Sequence, residues 1–168
     1  MNAAQIRPAT PADVHAIVGL IRELATFEKL EHLLEVTPEK LAEHLFGPRP
    51  VIEGLVADVA AQPGSGKGRE LVAYALYFTN YSTFLGKPGL YLEDLYVRPA
   101  QRGLGLGRAL LVRLAAEANA RGYGRFEWSV LDWNASAIGF YEKLGATVMP
   151  EWRICRLAGE ALQRYAAD

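Results

Sequence analysis

A glycine-rich turn between a strand and a helix limits what this chain can fold into. Apolar and aromatic residues predict a strand over residues 89–97, and helical periodicity predicts an amphipathic helix over about 104–121. The sequence RGLGLGR joins the two at residues 102–108. Backbone amides at such a helix N-terminus point at a common anion, and Arg102 and Arg108 add positive charge. The turn therefore predicts a phosphate-binding site, although its glycine spacing differs from a dinucleotide fingerprint.

The remaining segments follow an order typical of an α/β fold. From residue 89 onward the predicted order is β-α-β-α. The chain has 168 residues, of which 51% are hydrophobic, so it can bury one sizeable core. We therefore expect a single domain over residues 1–168. The other predicted segments are strands ending near residue 7 and over 52–59, 71–79, 126–131 and 153–157, a loop over 63–68, and helices over 11–27, between 37 and 47, over 135–144 and at the C-terminus.

Charge and composition argue against several classes of partner. The formal net charge is −1 and no long run of Lys or Arg is present, so we expect no nucleic-acid partner. Neither a signal peptide nor an apolar segment of about 18–20 residues is found, which predicts a cytoplasmic protein without a membrane partner. Cys155 is the single cysteine, and we expect it to pack in a strand. His15, His32 and His44 lie far apart in sequence, so no metal site is expected.

An acidic pair interrupts the alternation of the strand before the turn. Leu90 and Leu92 share one face, but Leu95 and Val97 have the opposite parity across residues 93–94. One inserted residue restores the register, which predicts a β-bulge with unpaired backbone groups. An extended ligand that carries amides, such as pantetheine, could bind there like a strand. The alternative is an edge strand with two solvent-facing acids.

The motifs together resemble the GNAT superfamily of N-acetyltransferases. The resemblance rests on Arg102-x-x-Gly105-x-Gly107, then Asn134, then Phe140-Tyr141-x-Lys143-Leu144-Gly145-Ala146. Further segments are similar to the spermidine/spermine (diamine) and thialysine acetyltransferase branch over nearly the whole chain: IRPAT at 6–10, ELA at 23–25, FE at 27–28, YLED at 91–94 and WR at 152–153.

The resemblance implies a fold, a co-substrate and an assembly. It implies a strongly twisted mixed sheet flanked by helices, splayed at the bulged strand, with acetyl-CoA in the opening. Members of this branch commonly form homodimers, so a homodimer is expected. The residues that the resemblance implies for acetyl-CoA binding are Leu95, Tyr96, Val97, Arg102, Gly103, Leu104, Gly105, Leu106, Gly107, Arg108, Asn134 and Ser136.

Two residues are implied as catalytic, Glu93 and Tyr141. An alkylammonium has a pKa near 10, so forming the neutral amine at pH 7 costs about 4 kcal/mol. Glu93 is expected to take the proton through water, with Asp94 as the competing choice. Because a thiol pKa of roughly 8.5 lies below a phenol pKa near 10, Tyr141 is expected to stabilise the thiolate by a hydrogen bond.

The expected acceptor is a small primary amine that is otherwise cationic. Phe27, Glu28, Glu93 and Glu151 are the implied substrate contacts, because acidic and aromatic groups together favour a cation. A diamine, a polyamine and a thialysine-like basic amino acid all remain open. Two rival functions also remain, a protein or peptide N-acetyltransferase and a non-catalytic acyl-CoA-binding sensor.

Overall fold

The computed structural model of the chain describes residues 4–61, 64 and 68–166. The chain forms two compact units, the first ending at Ser129 and the second beginning at Val130. Most of the loop predicted over residues 63–68 lies outside the described residues.

The first unit contains an open five-stranded sheet in the order β1-β2-β3-β4-β5. Neighbouring strands from β1 to β4 are antiparallel, whereas β5 runs parallel to β4. The sheet is thus mixed, as predicted, and every strand of it except β1 and β5 has two neighbours. The strands are β1 (Gln5–Pro8), β2 (Glu53–Ala60), β3 (Arg69–Ser82), β4 (Lys87–Val97) and β5 (Phe126–Trp128).

Helices cover both faces of this sheet. The first two helices bury their apolar stripes on one face, around Val56, Tyr74 and Tyr96. The third helix packs on β3 and β4. It lies beside Tyr77, whose side chain is on the opposite face because side chains alternate along a strand. The α-helices are α1 (Val14–Glu28), α2 (Pro38–Phe46), α3 (Leu106–Ala120), α4 (Ala135–Lys143) and α5 (Glu160–Gln163), with 3-10 turns at Pro11–Asp13, Glu31–Leu33 and Pro99–Gln101.

Buried charges fix the edge of the sheet to the start of α1. Asp13 accepts hydrogen bonds from the guanidinium of Arg7 at 2.7 and 2.8 Å and from the backbone amide of Thr10 at 2.8 Å. These bonds, chiefly those from Arg7, lower the pKa of Asp13 to about 2. Arg7 also donates to Asp58 on β2 at 3.0 Å. The N-terminal strand is therefore held by charge-assisted bonds as well as by its ladder.

Two predictions near the C-terminus are wrong, and one earlier strand is shorter than predicted. The strand expected over residues 153–157 has no ladder partner among the described residues, and Ile154 and Leu157 are 69% and 60% exposed. An alternating pattern supplies apolar side chains but not the neighbouring backbone that a strand requires. Cys155 is exposed for the same reason, instead of packing in a core. The strand predicted over 126–131 is also shorter and ends at Trp128.

Candidate active site

The predicted bulge lies at Glu93. On β3, Leu76 pairs with Asp94 and the next residue, Tyr77, pairs with Leu92, so Glu93 is the extra residue of β4. The insertion places Asp94 on the face of the sheet that α1 covers, while Leu92 lies on the α3 face. The parity break in the sequence is thereby explained.

One edge of β4 is open immediately after the bulge. Strand β5 pairs with β4 only over residues 90–92. From Glu93 to Val97, β4 has no strand partner on this side within the described part of the chain. The Nε atom of Arg102 donates to the Val97 carbonyl oxygen at 2.8 Å. The predicted splay is confirmed, and its edge can accept an extended ligand through backbone hydrogen bonds.

The turn before α3 presents a row of backbone amides. Gly103 and Gly105 have φ angles of 76° and 82°, in the left-handed region that glycine adopts without strain. The first amide bonded within the helix is that of Ala109, which donates to the Gly105 carbonyl oxygen. Among the described residues, the amides of 103–108 have no protein acceptor. A Cβ atom at either glycine would meet nothing within 4 Å, so the cradle has room for a phosphate group.

The helix starts two residues later than predicted, and its flanking side chains divide between solvent and core. Gly105 is the residue before the helix, and Leu106 is its first residue. Leu104 is exposed and Leu106 is buried, so Leu106 anchors the turn to the core. Gly107 and Arg108 complete the first turn of α3, and the side chain of Arg108 is exposed.

Arg102 connects the amide cradle to the end of α1. The guanidinium carbon lies 5.1 Å from the ring centre of Phe27 and 5.5 Å from that of Tyr96. Such stacking is a cation–π arrangement. The hydroxyl of Tyr96 donates to Glu23 at 3.2 Å. The charge of Arg102 at the anion site stays a prediction, and its guanidinium lies over the rings of Phe27 and Tyr96, two further residues of the predicted site.

An acidic cluster lies beside the bulge on the α1 face. The hydroxyl of Tyr74 donates to Asp94 at 3.2 Å. Burial, and then the charge of Glu93, raise the pKa of Asp94 to about 6. Burial also raises the pKa of Glu28, whose charge acts on Asp94. Three carboxyl groups thus share one region, which favours a bound cation.

Sequence reasoning missed Tyr74. The residue is fully buried in an apolar strand, and such a tyrosine is indistinguishable in sequence from ordinary core. Burial and the charge of Asp94 raise its pKa well above the usual value, so the hydroxyl stays protonated and donates. The available signal is that a buried tyrosine hydroxyl needs a polar partner. On the sheet this partner is Asp94.

The second unit contains the remaining predicted residues. Asn134 caps α4, since its side-chain oxygen accepts from the Ala137 amide at 3.2 Å. Ser136 is exposed in the first turn. Tyr141 is partly buried, with its ring centre 5.4 Å from that of Phe140. Glu151 is exposed beyond the end of the helix.

No group of three or more His, Cys, Asp or Glu side chains in the described residues could hold a metal ion. In the same part of the chain, every helix is too short or too polar to cross a bilayer.

The match that decides the family spans the bulge, the cradle and α4. The profile of the Acetyltransferase (GNAT) family covers residues 24–146. The chain belongs to the GNAT family. A thialysine N-epsilon-acetyltransferase from Mus musculus is 40% identical over 99% of this GNAT chain and 99% of its own length. An L-ornithine N5-acetyltransferase from Arabidopsis thaliana is 36% identical over 95% of this chain and 86% of its own. Family and relatives make this GNAT chain an N-acetyltransferase.

A solved structure shares the fold of this GNAT chain. An integron cassette protein from the mobile metagenome of V. cholerae superposes with a TM-score of 0.75 at 22% identity, and covers 96% of each chain. At this identity the likeness concerns the fold alone. The expected GNAT fold, a mixed sheet flanked by helices, is confirmed.

Proposed function

We propose that this chain transfers the acetyl group of acetyl-CoA to a primary amine of a small molecule, directly in a ternary complex. One observation carries the proposal. The open edge of β4 begins at Glu93, where the acidic cluster also lies. A donor on the open edge and a cationic acceptor at the cluster would therefore meet at one position.

The donor half of the proposal uses the amide cradle and the open edge. When bound, acetyl-CoA supplies an acetyl thioester, a pantetheine chain with amides and a pyrophosphate. Backbone groups of residues 95–97 are proposed to bind the amides, and the free amides of residues 103–108 the pyrophosphate. We assign Asn134 and Ser136 to the same co-substrate. The absence of contacts at the Cβ positions of Gly103 and Gly105 supports this fit.

The acceptor half uses the acidic cluster. Glu28 and Asp94 are proposed to hold the ammonium group, with Phe27 as an aromatic wall and Glu151 as a further acid. Glu93, which is exposed, is proposed to take one proton from the ammonium through water, because only the neutral amine has a lone pair to attack. The raised pKa of Asp94, about 6, makes it the alternative base.

The transfer itself forms one bond and breaks another. The amine nitrogen attacks the thioester carbonyl carbon, the C–N bond forms, and the C–S bond breaks. The attacking nitrogen releases its second proton to solvent, and the sulfur leaves as a thiolate that takes up one proton, so the products are the acetylated amine and free CoA. We propose that the hydroxyl of Tyr141 donates a hydrogen bond to this sulfur and stabilises its charge as it develops.

The assembly and location are part of the same proposal. The chain is proposed to act as one N-acetyltransferase domain over residues 1–168, in a homodimer in the cytoplasm. The names of the two relatives, which act on thialysine and L-ornithine, favour acceptors that carry a side-chain amine.

The experiment is an acceptor panel. The pure protein is incubated with acetyl-CoA and, separately, polyamines, diamines, thialysine, ornithine, lysine and short peptides, with thiol release and product mass recorded. We expect thiol release and a product one acetyl group heavier with at least one small amine. Acetylation of peptides alone would favour the peptide acetyltransferase, and CoA binding without turnover on any amine would favour the sensor.

A further inference from the structure

A second charged cluster lies on the same sheet face as Asp94. The side-chain amide of Asn80 donates to Oε1 of Glu127 at 2.8 Å. The same oxygen is 3.1 Å from Nη2 of Arg125, which also donates to the Tyr81 carbonyl oxygen at 3.2 Å. We refer to Asn80, Arg125 and Glu127 as the distal cluster. It joins β3 to β5 across β4.

The register of the sheet places this cluster on the acceptor side. Leu76, Phe78 and Asn80 alternate onto one face of β3, and Leu76 pairs with Asp94. Glu127 pairs with Tyr91, which in turn pairs with Phe78. The hydrogen bond between Asn80 and Glu127 confirms the shared face. Asp94 and the distal cluster therefore lie on the same surface.

Aromatic rings connect the two charged regions. The rings of Phe78 and Tyr91 lie 5.1 Å apart, centre to centre. The Tyr91 hydroxyl is 2.8 Å from the Ser129 hydroxyl on the same face. A methylene chain could lie on these rings between a carboxylate at each end.

Polar atoms in the distal cluster are incompletely satisfied. Asn80 Oδ1 and Arg125 Nε are the buried side-chain atoms without a hydrogen-bond partner in the described part of the chain. Buried polar groups in folded proteins almost always have a partner, so each exception requires an explanation. Both exceptions fall beside Gly89, where a Cβ atom would lie 2.5 Å from Asn80 Oδ1 and 2.9 Å from a side-chain carbon of Arg125.

Charge is also available to a ligand in this cluster. Within the described residues, Oε2 of Glu127 and Nη1 of Arg125 have no partner. The two side chains are 37% and 36% exposed. One free carboxylate oxygen and one free guanidinium nitrogen on two ion-paired side chains match an ammonium and a carboxylate on one carbon atom.

The spacing fits a short chain. Glu127 is level with Phe78, two residues along β3 from the partner of Asp94, which is about 7 Å at strand rise. One further strand spacing across the sheet is about 4.8 Å. The Glu127 side chain shortens the gap, so three to five atoms between the two amino groups would span it.

We infer that the distal cluster recognises the α-amino and α-carboxylate groups of a basic amino acid whose side-chain amine is acetylated. This inference rests on the proposed function and names its substrate class. Glu127 accepts from the α-ammonium, and Arg125 donates to the α-carboxylate. Asn80 holds Glu127 in place. The cluster selects amino acids over diamines of the same length, because a diamine leaves Arg125 without its carboxylate.

The test compares substrates that differ by one carboxylate. The ratio of kcat/KM for ornithine to that for putrescine, and for lysine to cadaverine, is measured on the wild-type protein and on Arg125→Gln. We expect wild-type ratios above ten, and a fall of about tenfold or more in Arg125→Gln. Diamine turnover should change little. Glu127→Gln should weaken both acceptors of a pair.

Matched controls separate recognition from folding. Arg121→Gln removes a guanidinium that pairs with Glu53 at 2.6 Å elsewhere on the first unit, and it should leave both ratios unchanged. If Arg125→Gln fails to fold, Arg125→Lys takes its place in the test. It keeps the positive charge and should retain part of the wild-type preference for amino acids over diamines.

The outcomes distinguish this inference from the proposed function. Turnover of diamines and amino acids with ratios near one in the wild-type protein would overturn the inference alone. An equal loss for both acceptors in Arg125→Gln and Arg125→Lys would also overturn it, since Arg125 would then have only an internal role. No turnover on any amine would overturn the proposed function and the inference together.

Discussion

At the scale of single residues, Tyr141 is assigned a role that a one-atom change can test. Tyr141→Phe removes only the hydroxyl. We expect kcat to fall about 100-fold or more, because the thiolate loses its hydrogen bond as charge develops. The Kd for acetyl-CoA should change less than about threefold, because binding uses backbone amides elsewhere. Stopped-flow turnover and calorimetric CoA binding measure the two quantities, and an unchanged kcat would remove Tyr141 from the mechanism.

Substitutions of the neighbouring acids Glu93 and Asp94 are expected to change the pH dependence of kcat/KM in different ways. The pKa of Asp94 is raised to about 6, so this carboxyl becomes anionic only as pH rises through about 6. If it holds the acceptor ammonium, kcat/KM for the amine rises through that range and then levels. We expect Asp94→Asn to lose this rise near pH 6, the acidic limb of the profile, and to raise KM more than it lowers kcat.

Glu93→Gln is the comparison for that profile. It should keep the limb near pH 6, because Asp94 remains, and should lower kcat, because the route for the proton is lost. The profiles of wild type and both variants are recorded with one amine. A limb that persists in Asp94→Asn and vanishes in Glu93→Gln would reverse the two roles.

Residue patterns predict part of this site and leave part of it hidden. The bulge at Glu93 follows from the sequence because an inserted residue shifts the parity of every later side chain. Tyr74 could not be predicted as a partner of Asp94, since the two are 20 residues apart and meet only through strand pairing. The stacking of Arg102 on Phe27 likewise depends on packing between α1 and the cradle.

At the scale of elements, the cradle before α3 has a matched internal control. Gly105 and Gly122 flank α3, with φ angles of 82° and 69°, and neither has an atom within 4 Å of a built Cβ. Valine at either position should therefore cost similar backbone strain, of about 1–2 kcal/mol. Only Gly105→Val places a side chain where we propose the pyrophosphate.

We expect Gly105→Val to weaken CoA binding at least about tenfold and Gly122→Val to leave it near wild type. Thermal melts should show that both variants are folded and similarly destabilised. Wild-type CoA affinity in folded Gly105→Val would refute the cradle, and an equal loss in both variants would assign the effect to strain in α3.

The order of the elements is predictable because local signals define most of their ends. Thr37 precedes α2 and Pro38 is its first residue, and the Thr37 hydroxyl accepts from the Lys40 amide at 3.3 Å. The start of α3 is less predictable, since glycine permits both helical and left-handed backbone. The strand predicted over 153–157 does not form, because alternating apolar residues do not indicate whether a sheet edge is available for pairing.

At the scale of the whole molecule, family membership and site geometry support one account. The profile match over residues 24–146 includes the bulge, the cradle and α4. The parallel pairing of β4 with β5 could be predicted from the β-α-β-α order, because such a series places strands in parallel. The mixed sheet as a whole is implied only by the family resemblance. The acidic cluster could be predicted only in part, since the raised pKa of Asp94 depends on its burial beneath α1.

Direct transfer from acetyl-CoA to a small amine is the central step of the proposed reaction. The measurement is the initial rate of thiol release over a grid of acetyl-CoA and amine concentrations, with products identified by mass. We predict intersecting double-reciprocal lines and one acetylated amine for each thiol released, because both substrates bind before transfer. Thiol release without acetylated amine, or parallel lines with an acetylated protein intermediate, would contradict direct transfer.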